Sequence, residues 1–182
     1  RYETWHALHL LVYVLLGLAF VHQLIETTTF KSSVFAMVYW WVLWVGSFGA
    51  LVVGRFVMPL WRNSVHQFRV AAVVPESDNV VSVHVTGRDL GRLGARAGQF
   101  FIWRFPGHNR WWYANPFSLS AAPNGQSLRL TAKAVGTTSA GLRHLRVGTR
   151  AFLEGPYGAF TTAQRTRPGM LLIAGGVGIT PI

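Results

Sequence analysis

Four short stretches carry residues whose types and spacing can do chemistry. In NPFSLSAAP, the run Asn115, Pro116, Phe117, Ser118 alternates polar and aromatic groups. On a strand, Asn115 and Phe117 share one face and Ser118 takes the other, so the segment can offer a ring face and a hydroxyl to a flat cofactor. In GTTSAGL, Gly136 to Leu142 supply glycine, hydroxyls and a helix start, where exposed backbone N–H groups receive anions. Ser139 is equally an N-cap residue, and capping is compatible with phosphate binding. Lys133 and Arg129 lie just upstream and add charge. In MLLIAGGVGITPI an apolar strand runs into Gly175, Gly176, Gly178, Thr180 and Pro181. That is a strand–turn–helix start suited to a dinucleotide, although Pro181 stands where the fingerprint wants a third glycine.

The fourth stretch holds His9 and His22, thirteen residues apart in an apolar run. At about 1.5 Å per residue they are roughly 20 Å apart along a helix, one toward each leaflet of a bilayer. Ionisable groups in such a helix are costly and usually functional. Neutral imidazole is a common axial ligand of haem iron, and two haems stacked across a bilayer need ligands at about this separation. Thirteen steps of about 100° also turn His22 roughly 140° from His9, so the helix is irregular or the haems approach from different sides. A hydrogen-bonded packing role is the other reading, and the residues alone leave both open. His6, one turn before His9, is a competing ligand nearer the membrane edge.

The elements that must position these groups divide the chain. Residues 1–61 contain Arg1, Glu3, Glu26, Lys31 and Arg55 as their only charges. Residues 4–25 and 34–53 are apolar runs of full bilayer length, separated by the polar ETTTFKSS. Trp40, Trp41 and Trp44 fit an interfacial belt, and Gly46 and Gly49 fit close helix approach. Buried helices of a soluble protein are the alternative. Arg55, Arg62 and Arg69 follow the second run, whereas the loop between the runs has only Lys31. Positive residues favour the cytoplasmic side, so both ends of the hairpin face the cytoplasm and its loop faces outward.

After Pro59 the period changes to that of strands. HQFRVAAVV, NVVSVHVTG, GQFFIWRF, NPFSLSAAP, SLRLTAKAV and TRAFLEGPYG, separated by Gly, Pro, Asn and Asp turns, predict a small six-stranded antiparallel barrel. One helix is predicted over 139–145. His66, His84, His108 and His144 lack ligand spacing and read as surface or strand-end residues. The 182 residues carry a formal charge of +11. The basic residues are scattered, no nucleic-acid motif is present, and the charge reads as a face toward anionic lipid and phosphate-bearing cofactors. Absence of cysteine excludes disulfides and cysteine-ligated zinc or iron–sulfur clusters within this stretch. With no Met start and an end just past the Gly-rich turn, the sequence reads as a piece cut at both ends.

In order, YETWHALHLLVYVLLGLAFVH, GQFFIWRF, NPFSLSAAP, GTTSAGL, EGPYGAF and AGGVGITP resemble the ferric reductase and NADPH oxidase family of membrane flavocytochromes. The resemblance implies two transmembrane α-helices of a haem domain (1–61), a ferredoxin-reductase-like antiparallel six-stranded β-barrel FAD-binding domain (62–166), and the first strand of a Rossmann-like α/β NAD(P) domain (167–182). It puts the family's haem ligands on His9, for an inner haem b, and His22, for an outer one. The family's flavin motif falls on Asn115, Pro116, Phe117 and Ser118, with Phe117 packing on the flavin and Ser118, the catalytic position, hydrogen-bonding near its N5. Asn115 departs from the family's His or Arg and brings no positive charge, so Arg129 or Lys133 is expected to meet the phosphate. The pyrophosphate contact falls on Gly136 and Ser139, and the nicotinamide-side turn on Gly175, Gly176, Gly178, Thr180 and Pro181.

The implied activity is an NAD(P)H-dependent oxidoreductase of an integral, bacterial-type cell membrane, with the FAD domain cytoplasmic. Electrons pass from NAD(P)H through FAD and two haems to ferric chelate or dioxygen. Expected partners are lipid, that acceptor and further helices of the same protein, with no nucleic acid; the piece alone is expected to be inactive. Two rival readings stay open: a flavin reductase without haem that donates to a separate partner, and a membrane scaffold or sensor that kept only the fold.

Overall fold

The computed structural model describes residues 2–26, 28, 33–108 and 115–182. Lys31, on which part of the orientation argument rests, lies outside the described residues. Two compact units meet at Gly54 and Arg55, earlier in the chain than the 61/62 boundary expected from sequence.

The first unit holds helix α1 (Tyr2–Glu26) and helix α2 (Val34–Val52). Both form because neither run contains proline and both are rich in Leu, Val and Ala. No residue of α2 is buried. Phe20 of α1 meets Trp41 edge-on at 5.8 Å and tilts onto Trp44 at 4.6 Å. These aromatics therefore join the two helices, a role beyond the expected belt. Gly46 and Gly49 do not make the expected close approach: a Cβ added at either meets nothing within 4 Å. Among the described residues one helix, Val34–His66, is long and apolar enough to cross a bilayer, and Leu11–Gln23 is a shorter apolar stretch. The expectation of two full spans is thus met by one on this measure among the described residues.

The long helix passes through a π-helical turn, Val53–Val57, into α3 (Met58–His66), with Pro59 in its first turn. Pro is tolerated there because that N–H has no helical partner. In the second unit α3 sits against strand β6 (Phe152–Tyr157). Gln67 ends the helix in the left-handed region at φ 49°.

All six expected strands form: β1 (Arg69–Ser77), β2 (Val80–Thr86), β3 (Phe100–Arg104), β4 (Asn115–Ser118), β5 (Ser127–Lys133) and β6. They do not make one closed barrel. They make two three-stranded antiparallel sheets, β1-β2-β5 and β4-β3-β6. Isolated bridges, Arg69 to Arg150 and Leu119 to Leu130, link the sheets at their two seams. The ladder is short at the seam beside β4 because that strand is four residues long and Pro116 has no N–H to give. Period-two alternation fills the space between the sheets with Val81, Val83 and Val85 from β2, Leu128 and Leu130 from β5, and Phe101 and Trp103 from β3.

The helix expected over 139–145 begins earlier, as α4 (Thr137–Gly141), and tightens into a 3₁₀ turn at Leu142–His144. The apolar tail does not form the expected strand of an α/β domain. Leu171 and Ile173 are more than four-fifths exposed, and Gly176–Ile179 form a 3₁₀ turn. A parallel strand needs a neighbouring ladder, and none among the described residues pairs with this one.

Candidate functional site

A cavity of about 570 Å³ opens in the second unit, within the usual range for small-molecule sites. Strand register brings its wall together. Trp103 pairs with Asn115 and Phe101 with Phe117, and the Trp103 indole N–H donates to the Phe117 carbonyl at 3.1 Å. That bond holds β4 against β3, so Asn115 and Phe117 line the cavity together. Trp103, Phe105 and Phe152 add aromatic surface. Thr138, on α4, closes another side.

His108 joins β3's end to α4. Its Nε2 lies 3.1 Å from the Thr138 carbonyl, and its ring packs so closely on Gly141 that a Cβ there would collide with it. Sequence reading took His108 for a surface or strand-end residue, and it does follow the end of β3. The signal was the helix glycine opposite it, which is visible only once β3 and α4 are adjacent.

The charged residues of the wall are Arg55, Arg104 and Glu154. Glu154 is 4% exposed and ion-paired to both arginines, with Arg104 Nη1 at 3.0 Å from its Oε2. The Tyr157 hydroxyl donates to Oε1 at 3.0 Å. A buried carboxylate is tolerable with this much pairing. Burial first, then the hydrogen bond to Glu154 and its charge, raise the Tyr157 pKa; Arg55 and Arg62 offset part of this. Two guanidinium groups share one carboxylate, so the wall holds one positive charge in excess. Arg104 Nε is buried and has no hydrogen-bond partner among the described residues. The donor set therefore suits a flat aromatic ligand bearing an anionic group, and the residues present fit a flavin dinucleotide.

The sequence candidates divide. Asn115 and Phe117 meet in the cavity. Pro116 is exposed, and Ser118, half-buried, pairs with Phe100 at the strand's end and is outside the lining. Ser139 is buried, and its hydroxyl is used within its own turn. It accepts from the N–H groups of Val135 at 3.0 Å and Gly136 at 3.1 Å. Thr138, one residue earlier, is the member of this turn that reaches the cavity. Lys133 is exposed at the end of β5, opposite Val80. Arg129 is engaged by Ser120, with Nε 3.1 Å from its Oγ, and so is not where a substitute for Asn115 was expected. Arg55 and Arg104 were not singled out as ligands by sequence. Gly175, Gly176 and Gly178 are exposed, Thr180 and Pro181 half-buried, and none lines the cavity.

His66, expected as a surface or strand-end residue, is 5% exposed at the end of α3, with Nδ1 paired to the Arg88 carbonyl at 2.7 Å. His9 and His22 are both exposed on α1. The Trp5 ring stacks on His9 at 4.9 Å. Among the described residues no cluster of three His, Cys, Asp or Glu side chains can hold a metal ion.

No protein-family profile matches the chain. A flavohemoprotein of Xylella fastidiosa is 29% identical over 126 residues, covering 67% of this chain and 31% of its own length. One from a Burkholderia species is 35% identical over 125 residues, covering 66% of this chain and 31% of its own. The chain thus spans about a third of the length of these curated relatives. Among solved structures, the flavohem-like FAD/NAD-binding domain of a Vibrio cholerae nitric oxide dioxygenase superposes with a TM-score of 0.51 at 29% identity, over 64% of this chain and 53% of its own. A cytochrome P450 reductase of Amycolatopsis gives 0.54 at 26% identity, over 64% and 36%. Sequence and fold agree that this chain contains a ferredoxin-reductase-like FAD/NAD-binding domain of the flavohemoprotein-like kind.

Proposed function

We propose that this chain passes electrons from NAD(P)H through FAD in the β3–β4 cavity and onward, across a membrane, by two b-type haems to ferric chelate or dioxygen. The observation that carries the reading is the cavity itself, where Asn115 and Phe117 of the sequence motif meet Thr138 and an excess positive charge. When bound, the flavin accepts two electrons together and passes them on singly, which a nicotinamide and a haem cannot do between themselves. Phe117 supplies an apolar face, and Trp103, Phe105 and Phe152 keep water from it. Asn115 and Thr138 offer hydrogen bonds, and the guanidinium groups offset phosphate charge. Ser118, at the end of β4 and outside the lining of the cavity, is the hydroxyl that the motif resemblance assigns to the flavin's reacting edge. The turn from Gly175 to Pro181 is assigned to the nicotinamide side.

The membrane half of the proposal draws on α2. Its 19 residues include no buried one and extend about 28 Å at 1.5 Å each, close to the thickness of a hydrocarbon core. A surface of exposed Phe35, Val42 and Phe48 is stable against lipid and costly against water. His9 and His22 would each help hold a haem through one imidazole nitrogen, with further donors coming from outside the described residues. The FAD unit then lies on the cytoplasmic side.

Optical spectra of the full-length protein before and after NADPH test this directly. Flavin bleaching followed by reduced b-type haem bands supports it; superoxide or ferrous-chelate formation then names the acceptor. A second reading, a haem-free flavin reductase serving a separate partner, is favoured by the likeness to the Amycolatopsis cytochrome P450 reductase. Flavin bleaching with no haem bands selects it, and a protein without flavin sinks both.

A further inference from the structure

The motif position that should bring a cation to the cofactor's phosphates is occupied by Asn115. The cavity nevertheless holds a cation of its own. Arg104, at the end of β3, gives Nη1 to Glu154 at 3.0 Å, and its buried Nε has no partner among the described residues. A guanidinium offers five donors in a fixed fork, so one edge can stay on a carboxylate while another meets an anion. Leaving a buried charged donor unmade is costly. Arg55 also pairs with Glu154, so that carboxylate does not cancel Arg104 alone. Lys133 and Arg129 are unsuited, the first being exposed at a strand end and the second engaged by Ser120.

We infer that Arg104 is the phosphate-anchoring residue of this site, replacing the cation missing at Asn115, with Glu154 holding it in position and tempering its charge. The inference rests on the flavin reading above and adds which chain atoms receive the anion. It makes two opposite demands on the ion pair. Loss of Arg104 must weaken phosphate-bearing flavins only. Loss of the Glu154 charge must strengthen them, because both guanidinium groups are then uncompensated.

The test is titration of the flavin-free full chain with FAD, FMN and riboflavin, followed by flavin fluorescence. Arg104→Gln is expected to weaken FAD and FMN about tenfold or more, the loss of one charge-assisted contact, and to leave riboflavin unchanged. Adding Asn115→Arg to that variant restores FAD affinity. Glu154→Gln, which keeps Arg104 in place, tightens FAD and leaves riboflavin unchanged. Parallel loss of riboflavin and FAD in Arg104→Gln, or a Glu154→Gln chain that binds FAD no tighter, overturns the assignment. A wild-type chain that binds none of the three sinks the flavin reading itself, an outcome separate from failure of the variants.

Discussion

Asn63 and Leu153 are joined twice: the Asn63 amide donates to the Leu153 carbonyl at 2.6 Å and accepts from the Leu153 N–H at 2.9 Å. A third bond runs from the same amide nitrogen to Pro59 at 2.7 Å. This side chain, 3% exposed, completes the backbone pairing of β6 as a neighbouring strand would. Asn63→Ala strands a buried N–H and a buried C=O, at about 1–3 kcal/mol each. The expected loss is about 2–4 kcal/mol, read from urea unfolding. A change below about 0.5 kcal/mol would mean that water replaces the amide.

Tyr157 gives a pH signature. Its folded pKa lies above the ordinary 10.0, chiefly through burial and then through Glu154. A group with a raised folded pKa stabilises fully below its unfolded value and loses that contribution as pH rises through the folded one. Stability should therefore fall from pH 10.0 upward more steeply in the wild type than in Tyr157→Phe. Urea midpoints of the two chains on either side of that value measure the difference. Equal slopes would show that neither burial nor Glu154 raises the phenol's pKa in solution.

Phe117 and Ser118 should separate binding from reaction. Phe117→Ala removes an apolar face of the cavity and is expected to cost about tenfold in FAD affinity. Ser118→Ala should keep FAD and slow flavin bleaching by NAD(P)H about tenfold, the worth of one hydrogen bond in a transition state. Stopped-flow absorbance checks both. An unchanged bleaching rate in Ser118→Ala removes Ser118 from the chemistry.

The histidines of α1 carry the haem proposal. In the full-length protein, His9→Ala with His22→Ala should abolish the reduced b-type haem spectrum while flavin bleaching by NADPH persists. Haem bands that survive the double substitution would assign both imidazoles to packing.

The strands were legible because their signals are local. Val81, Val83 and Val85 alternate with polar neighbours, and turns rich in Gly and Pro bound the runs. Asn115 and Phe117 were legible as a pair for the same reason. What sequence missed was decided across the chain. Arg104 and Glu154 are fifty residues apart and meet only through the β3–β6 register. His108 is ordinary until Gly141 makes room for its ring. Ser139 and Thr138 read alike as hydroxyls near a helix start. Only the turn shows that one faces inward to the peptide N–H groups and the other the cavity. Phe101 likewise demands a glycine at Gly155, where φ is 144° and a Cβ would come within 2.8 Å of its ring.

The narrow seam beside β4 has a mechanical meaning. The β1-β2-β5 sheet is stiffened by two ladders of seven pairs each, whereas the join beside β4 rests on the Leu119–Leu130 bridge and one further backbone bond, from the Ser120 N–H to the Arg129 carbonyl. Small opening fluctuations concentrate where the fewest backbone bonds must break. Deuterium should enter the Ser120 amide, which crosses that join to Arg129, well before those of Val83 and Leu130. The two plates can thus part along a stitch line beside the cavity, letting a large guest in or out while both plates stay folded.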